Sequence, residues 1–262
     1  MGAELDPSPI LPDIRLEAER LTQAAIGSGL PIRLMGGLAI WLLSPASRSG
    51  PLARDYADMD FAAASKAGRP KVGGFFEDQG YVPEKLFNAL HGAQRLNFGA
   101  PDGRWTIDVV FDELNMSHRV DLRGRLNGTA PTIDPADLLL TKLQVWEINP
   151  KDLGDIACLL ADLPLVEPGH RLDGSRPAID LHRVRTLVAS DWGLCHTVER
   201  NLGRTAEFAR GHPLASAPHD PAVQAEALLR AIEAAPKSLA WKTRARVGER
   251  VRWYETPEEI RH

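Results

Sequence analysis

The alternation of apolar and polar positions divides the chain into a mixed α/β part and a helical part. Apolar residues at helical spacing predict helices over residues 13–26, 38–43, 72–79, 136–148 and 151–162. Runs of β-forming residues predict strands over residues 30–35, 58–63, 94–98 and 104–111. A Gly-Ala-Pro-Asp-Gly turn joins the last two strands and indicates an antiparallel hairpin. Beyond these elements, residues 180–210 and 221–252 are expected to be almost wholly helical.

A segment rich in proline, glycine and charge, residues 164–177, separates the two parts and predicts a domain boundary. We expect one domain over residues 1–163 and a helical C-terminal domain over residues 164–262. The first part carries 16 basic and 22 acidic side chains, whereas the second carries 15 and 13. The expected fold class is α/β, with a mixed, short-stranded sheet, flanking helices and a helical C-terminal domain.

The composition is that of a globular protein, with 44% hydrophobic and 25% charged residues among 262 and a net charge of -4. The longest apolar run, residues 38–43, is far shorter than the roughly 20 residues that cross a bilayer. No secretory signal pattern begins the chain, so we expect a cytoplasmic protein without a membrane segment. The two cysteines show no metal-binding spacing and are expected to be buried thiols.

Asp58 and Asp60 are the first candidates for chemistry. In a strand, residues two apart point to the same face, with Cα atoms about 6.5 to 7 Å apart. Two converging carboxylates need a compensating cation, and Mg²⁺ prefers carboxylate oxygen. Most Asp-x-Asp pairs, however, are solvated surface or capping residues.

Three further features favour a metal site over a solvated pair. Met59 and Phe61 make the other face of the strand apolar, so the acidic pair belongs to a packed sheet. Asp108 lies in a strongly apolar strand, where a carboxylate needs a partner or a metal unless the strand is an edge. Gly36 and Gly37 stand between a strand and a helix, where phosphate oxygens can approach backbone N–H groups.

This arrangement of strand, Gly-Gly, helix, Asp-x-Asp and a third strand Asp resembles the DNA polymerase β-type nucleotidyltransferase superfamily. More narrowly, the chain resembles the AbiEii-type abortive-infection toxins and the mycobacterial nucleotidyltransferase toxins. The residues that carry this narrower resemblance are Arg54 with Asp58 and Asp60, the sequence Leu-Thr-Lys-Leu at residues 140–143, and Lys-Asp-Leu-Gly-Asp-Ile at residues 151–156. The likeness covers residues 30–162. Many members of the group have Gly-Ser in place of Gly36-Gly37, and the acid at Asp108 is not present in all of them.

The resemblance implies Lys142 and Asp155 as active-site residues, and Arg54 and Lys151 as phosphate contacts. Lys142 also lies on an apolar helix face, where it could simply extend its ammonium to solvent. Lys151 could equally be a surface residue. Asp152 lies in the first turn of its helix, where an acid is favoured by the helix dipole alone, so Asp155 is the preferred candidate.

The chemistry implied is transfer of a nucleoside monophosphate from a nucleoside triphosphate, with release of pyrophosphate. Asp58, Asp60 and Asp108 would hold Mg²⁺, and Asp108 would accept the proton of the acceptor. Gly36 and Gly37 would cradle the phosphates, while Lys142 would neutralise developing charge.

The resemblance implies tRNA as the acceptor and a separate antitoxin as a protein partner. A basic C-terminal stretch is consistent with RNA, or is a solvated helix face: Lys237, Lys242, Arg244, Arg246, Arg250 and Arg252, flanked by Trp241, Trp253 and Tyr254. A small-molecule hydroxyl, such as that of an aminoglycoside, or a protein hydroxyl is an alternative acceptor. A non-catalytic nucleotide-binding module with the same fold is a further alternative.

Overall fold

The computed structural model describes residues 10–167 and 176–256, and the chain divides into two compact units. The described residues of the first unit are 10–39, 55–114 and 121–133, and those of the second are 40–54, 115–120, 134–167 and 176–256. Each unit has its own buried core.

The first unit is built on a five-stranded mixed sheet. Its strands are β1 (Ile32–Met35), β2 (Asp58–Ala63), β3 (Val82–Pro83), β4 (Arg95–Gly99) and β5 (Thr106–Phe111), in the order β1-β2-β5-β4-β3. The pair β2–β5 is parallel and the other pairs are antiparallel. The helices are α1 (Ile14–Gly27), α2 (Gly36–Leu43), which continues into the second unit, α3 (Arg69–Asp78) and α4 (Lys85–His91). Two short strands, β6 (Glu113–Asn115) and β7 (Arg119–Asp121), form a separate two-stranded sheet. The expected α/β class with a mixed sheet is confirmed.

Aromatic packing fixes which face of β2 is buried. Phe76 of α3 is completely buried, and its ring centroid lies 5.4 Å from that of Phe61 and 5.2 Å from that of Phe98. Met59 is also completely buried. Because side chains alternate along a strand, Asp58 and Asp60 lie on the opposite face, as the sequence pattern predicts.

Several predicted elements of this unit are confirmed, whereas two observed elements were not predicted. Strand β2 has the predicted bounds, and β4 and β5 form the predicted antiparallel hairpin. The helix predicted over residues 72–79 begins earlier, at Arg69, because Pro70 can occupy the first turn. The unpredicted elements are β3 and α4. They have two and seven residues, which is too short for hydrophobic periodicity to reveal them.

The second unit is mainly helical. Its helices are α5 (Pro135–Leu143), α6 (Pro150–Asp162), α7 (Leu181–Ser190), α8 (Trp192–Gly211), α9 (Pro221–Glu233) and α10 (Leu239–Val247). Two short strands, β8 (Leu165–Val166) and β9 (Ile179–Asp180), pair in parallel. Cys158 and Cys195 are buried free thiols, as expected.

The long C-terminal helices expected from the sequence are interrupted. Asp191 separates α7 from α8, because its backbone is extended and its side chain accepts a hydrogen bond from the Leu194 N–H to begin a new helix. A second break includes Pro236, which lies between α9 and α10. Helix α5 also ends at Leu143, earlier than the predicted residue 148.

The predicted boundary between residues 163 and 164 does not coincide with the division into units. Residues 153–161 of α6 are all buried, and α6 packs against α5, α8 and α9. A helix that is buried over most of its length needs neighbours on several sides, and the C-terminal helices α8 and α9 supply part of this cover. Residues 168–175, within the predicted boundary segment, lie outside the described residues.

Within residues 10–167 and 176–256, no helix combines the length and the apolar character that crossing a bilayer requires.

His118 is a buried titratable group in the second unit. Its ring Nε2 lies 2.8 Å from Thr197 Oγ1, and its backbone N–H donates to Gln144 Oε1. Burial lowers the pKa of His118 from its ordinary value, although the negative charges of Asp191 and Glu255 act in the opposite direction.

We expect the substitution His118→Gln to reduce the loss of thermal stability on acidification. An unfolded chain protonates its imidazole near pH 6.5, whereas the folded protein does so only at lower pH. The lowered pKa therefore provides stability that is present above about pH 6.5 and is lost as the pH falls through the pKa of the folded state. The unfolding midpoint is measured by circular dichroism at about pH 7.5 and about pH 5.5.

The control is His182→Gln, which removes an exposed imidazole from the same unit. An equal acid-induced drop in the midpoint for the wild type and His118→Gln would contradict the prediction.

Candidate functional site

Three of the predicted site residues lie together on the sheet of the first unit. Asp58 and Asp60 share one face of β2, and Asp60 is the register partner of Asp108 in the parallel pair β2–β5. Residues in register on neighbouring strands point to the same face, so we call Asp58, Asp60 and Asp108 the acid face. Asp58 is exposed and Asp60 is half-buried, while the side chain of Asp108 is 14% exposed.

The Asp60 carboxylate lies against the backbone of Gly36, where α2 begins. Met35, the last residue of β1, is the register partner of Asp60. Gly36 has a φ of +66°, and a Cβ built on it would lie 2.0 Å from Asp60 Oδ2. Only glycine allows this backbone conformation and this close approach together. The structure therefore brings the Gly-Gly sequence and the Asp-x-Asp sequence to one place.

Asp108 is paired with Arg95 of β4. Arg95 Nε donates to Asp108 Oδ1 at 2.6 Å, and a second guanidinium nitrogen donates to Oδ2. Burial alone would lower the pKa of Arg95, but its hydrogen bonds to Asp108 and the charges of Asp108 and Asp60 raise it overall. The acid face is thus partly neutralised by a guanidinium that stays charged.

The donor chemistry of the acid face fits Mg²⁺, with two carboxylates rather than three. Among the described residues, no three His, Cys, Asp or Glu side chains form a group that could hold a metal ion. Mg²⁺ in nucleotide sites is usually bound by one or two carboxylates together with phosphate oxygens and water. Asp58 and Asp60 supply that number, and the absence of a side chain at Gly36 leaves room for the Asp60 carboxylate. Asp108 as a third ligand stays a prediction, since its two oxygens are bound by Arg95.

Three other predicted site residues, Arg54, Lys142 and Asp155, lie in the second unit. Together with Asp152 they form a group that we call the ion cluster. Lys142 Nζ lies 2.7 Å from Asp152 Oδ1 and 3.0 Å from Asp155 Oδ2. Arg54 contacts both oxygens of Asp155, at 2.9 Å and 3.3 Å. The cluster therefore combines two cations with two anions.

The environment of Lys142 shows how strongly this cluster is coupled. Burial alone would lower the pKa of Lys142, but the charges of Asp155 and Asp152 and their hydrogen bonds raise it well above its ordinary value. Asp155 is 4% exposed, so its carboxylate is held by cations rather than by water. Lys142 therefore remains protonated and does not extend to solvent, which excludes the simplest alternative for this residue.

The two remaining predicted contacts are placed differently. Lys151 is exposed on the first turn of α6. Gly37 is half-buried in the first turn of α2.

Two residues of these sites were not predicted from the sequence. Arg95 was not identified, and Asp152 was assigned only to the helix dipole. Asn97 is the register partner of Asp108, and Arg95 lies two residues from Asn97 on the same face of β4. In the sequence, the charged Arg95 next to the apolar Leu96 in the predicted hairpin was the signal for a cation on this face. Asp152 accepts hydrogen bonds from the Asn149 side-chain amide and from the Lys142 ammonium. Its role therefore extends beyond a favourable interaction with the helix dipole.

The basic C-terminal stretch is only partly available to a partner. Lys242 and Arg246 are exposed on α10, but the helix ends at Val247, so Arg250 lies outside it on a following 3-10 turn. Lys237 donates to the Ile232 carbonyl at 2.6 Å, and Arg244 donates to the carbonyls of Gly248 and Val251.

The aromatic residues of this stretch pack mainly against other rings. Trp253 lies 4.8 Å from Trp146 and 5.2 Å from His196, between ring centroids. Tyr254 stacks on Trp146 at 5.1 Å. These rings form a half-buried aromatic cluster within the second unit.

No protein-family model matches the chain, and no curated protein matches it significantly. Among solved structures, the chain is similar to the one described as "Crystal structure of JHP933 from Helicobacter pylori", with 12% sequence identity and a TM-score of 0.28. That alignment covers 90% of this chain and 95% of the other. A TM-score this low does not establish a shared fold.

We expect Gly36→Ala to destabilise the protein more than Gly29→Ala. Both glycines have positive φ, +66° and +67°, but a Cβ at Gly29 would have nothing within 4 Å. Gly29→Ala should cost about 1 kcal/mol for the backbone conformation alone, and Gly36→Ala about 3 kcal/mol because Asp60 must also move. Unfolding in urea measures both values, and equal costs would contradict the proposed contact.

We also expect Lys142→Met to lower the free energy of unfolding by about 3 to 5 kcal/mol, because it leaves buried carboxylates with less compensating charge. Lys151→Met is the matched control, since it removes an exposed lysine from the adjoining helix and should change stability by no more than about 0.5 kcal/mol. Similar stabilities of the two variants would show that the ion cluster does not contribute to stability.

Proposed function

We propose that this protein is a Mg²⁺-dependent nucleotidyltransferase that transfers a nucleoside monophosphate from a nucleoside triphosphate to tRNA. The observation that carries the proposal is the contact of Asp60 with Gly36, which joins a carboxylate pair to the start of a helix. A helix N-terminus favours negative charge, and phosphate oxygens can approach a glycine backbone closely. The finer fold assignment, a nucleotidyltransferase-like sheet, belongs to the same proposal.

The proposed reaction forms one P–O bond and breaks another. An acceptor hydroxyl oxygen attacks the α-phosphorus, and the bond from that phosphorus to the oxygen bridging to the β-phosphate breaks. Pyrophosphate leaves with the bonding electron pair, and the hydroxyl proton passes to a carboxylate, for which Asp108 is the proposed base. Mg²⁺, when bound, neutralises the phosphate charge and stabilises the leaving oxygen.

The chain supplies the positioning. Asp58 and Asp60 would hold the cation, with Asp108 as the proposed third ligand. Asp58 and Asp60 share a face of β2, which is hydrogen-bonded to a neighbouring strand on each side. Gly36 and Gly37 would receive the phosphates. The proposed roles of Lys142, Asp155, Arg54 and Lys151 in nucleotide handling rest on the resemblance in motifs.

RNA as the acceptor is supported by the exposed basic side chains Lys242, Arg246 and Arg250, because phosphate neutralisation dominates affinity for nucleic acids. The role as a toxin checked by an antitoxin rests on the motif resemblance, and a cytoplasmic location is part of the same proposal.

The test is a transfer assay with purified protein, Mg²⁺, total tRNA and each of the four α-³²P-labelled triphosphates in turn. The wild type should label tRNA with a preferred nucleotide. A variant carrying Asp58→Ala and Asp60→Ala should lose about 10³-fold in rate, because loss of the metal removes several kcal/mol of transition-state stabilisation.

The control variant carries Asp55→Ala and Asp102→Ala, which removes the same charge from exposed positions of the first unit. It should retain activity. Label found on aminoglycosides or protein instead of tRNA would move the assignment to another acceptor. Triphosphate binding without transfer to any acceptor would contradict catalysis and favour a nucleotide-binding module.

A further inference from the structure

Arg95 holds Asp108 from a neighbouring strand. In the antiparallel pair β4–β5, Arg95 is the register partner of Val110, two residues beyond Asp108, so the two side chains share a sheet face. Both nitrogen–oxygen contacts of a bidentate pair are present, which makes this one of the stronger hydrogen-bonded arrangements.

The same guanidinium is coupled to a second carboxylate of the acid face. The charge of Asp60 acts on Arg95 in addition to that of Asp108. The side chain of Asp108 is 14% exposed and that of Arg95 is 41% exposed, so solvent only partly screens the pair. A divalent cation held by Asp58 and Asp60 that also took Asp108 as a ligand would use the Asp108 oxygens that Arg95 now binds, and it would also repel the guanidinium.

We propose that Arg95 is a positioning residue that acts as an internal counter-ion: it occupies Asp108 in the nucleotide-free protein and competes with Mg²⁺ for this carboxylate. Arg95 thereby weakens the binding of Mg²⁺ in the absence of nucleotide. Mg²⁺ is then held firmly only when triphosphate oxygens coordinate it together with the carboxylates of Asp58 and Asp60. This inference rests on the metal site of the proposed function and adds the residue that controls its occupancy.

The experiment is calorimetric titration of the full chain with Mg²⁺ alone, without nucleotide. Arg95→Gln should bind Mg²⁺ about tenfold more tightly than the wild type, since a hydrogen-bonded charged competitor is removed. The matched control is Arg104→Gln, which removes an arginine that pairs with Asp102 at the other end of the β4–β5 hairpin. It changes the net charge equally and should leave the affinity unchanged.

A double-mutant cycle with Asp108→Asn separates competition from a general structural effect. If Arg95 acts through Asp108, replacing Arg95 in the Asp108→Asn background should give little or no gain in affinity. The Mg²⁺-induced rise in unfolding temperature should be larger for Arg95→Gln than for the wild type. Arg95→Lys, which keeps the charge but not the bidentate geometry, should give an intermediate affinity.

Equal or weaker Mg²⁺ binding by Arg95→Gln would overturn the inference, as would a full gain in affinity that persists with Asp108→Asn. If Arg95→Gln equals the wild type while Asp58→Ala with Asp60→Ala abolishes binding, the counter-ion role fails and the metal site stands. If the affinity gain is seen but no acceptor is labelled in the transfer assay, the proposed reaction fails and the counter-ion role stands.

Discussion

The contact between the Asp60 carboxylate and the backbone of Gly36 is the constraint on which the acid face depends. Strand β1 ends at Met35 opposite Asp60, and Gly36 turns the chain into α2 with a φ of +66°. Any side chain at Gly36 would overlap Asp60 Oδ2, so this position needs glycine for two independent reasons. The register of β2 and β5 then places Asp58 and Asp108 on the same face as this fixed Asp60 carboxylate.

Charge compensation is the second organising principle, and it works separately in each unit. In the first unit, Arg95 neutralises part of the acid face. In the second, Arg54 and Lys142 hold Asp155, which is almost fully buried. Charges removed from water are costly unless they are paired and hydrogen-bonded, so both arrangements commit cations to carboxylates before any ligand arrives.

The sequence predicts local features of this protein well because those features depend on local chemistry. The alternation of Asp58 to Phe61 places β2 correctly, and the apolar spacing over residues 151–162 predicts α6 to within one residue of its start. The pairing of Asp108 with Arg95 was missed, because it depends on the register between two strands rather than on either strand alone. The break at Asp191 was missed for a related reason: an aspartate within a helical pattern can cap a new helix, and tertiary packing decides whether it does.

Anomalous diffraction from crystals grown with Mn²⁺ and a non-hydrolysable nucleoside triphosphate tests the central claim most directly. Mn²⁺ prefers the same carboxylate and phosphate oxygens as Mg²⁺. The account predicts an anomalous peak bonded to carboxylate oxygens of Asp58 and Asp60, with the triphosphate beside Gly36. Mn²⁺ and triphosphate bound elsewhere on the chain, with Arg95 still bound to Asp108, would contradict it.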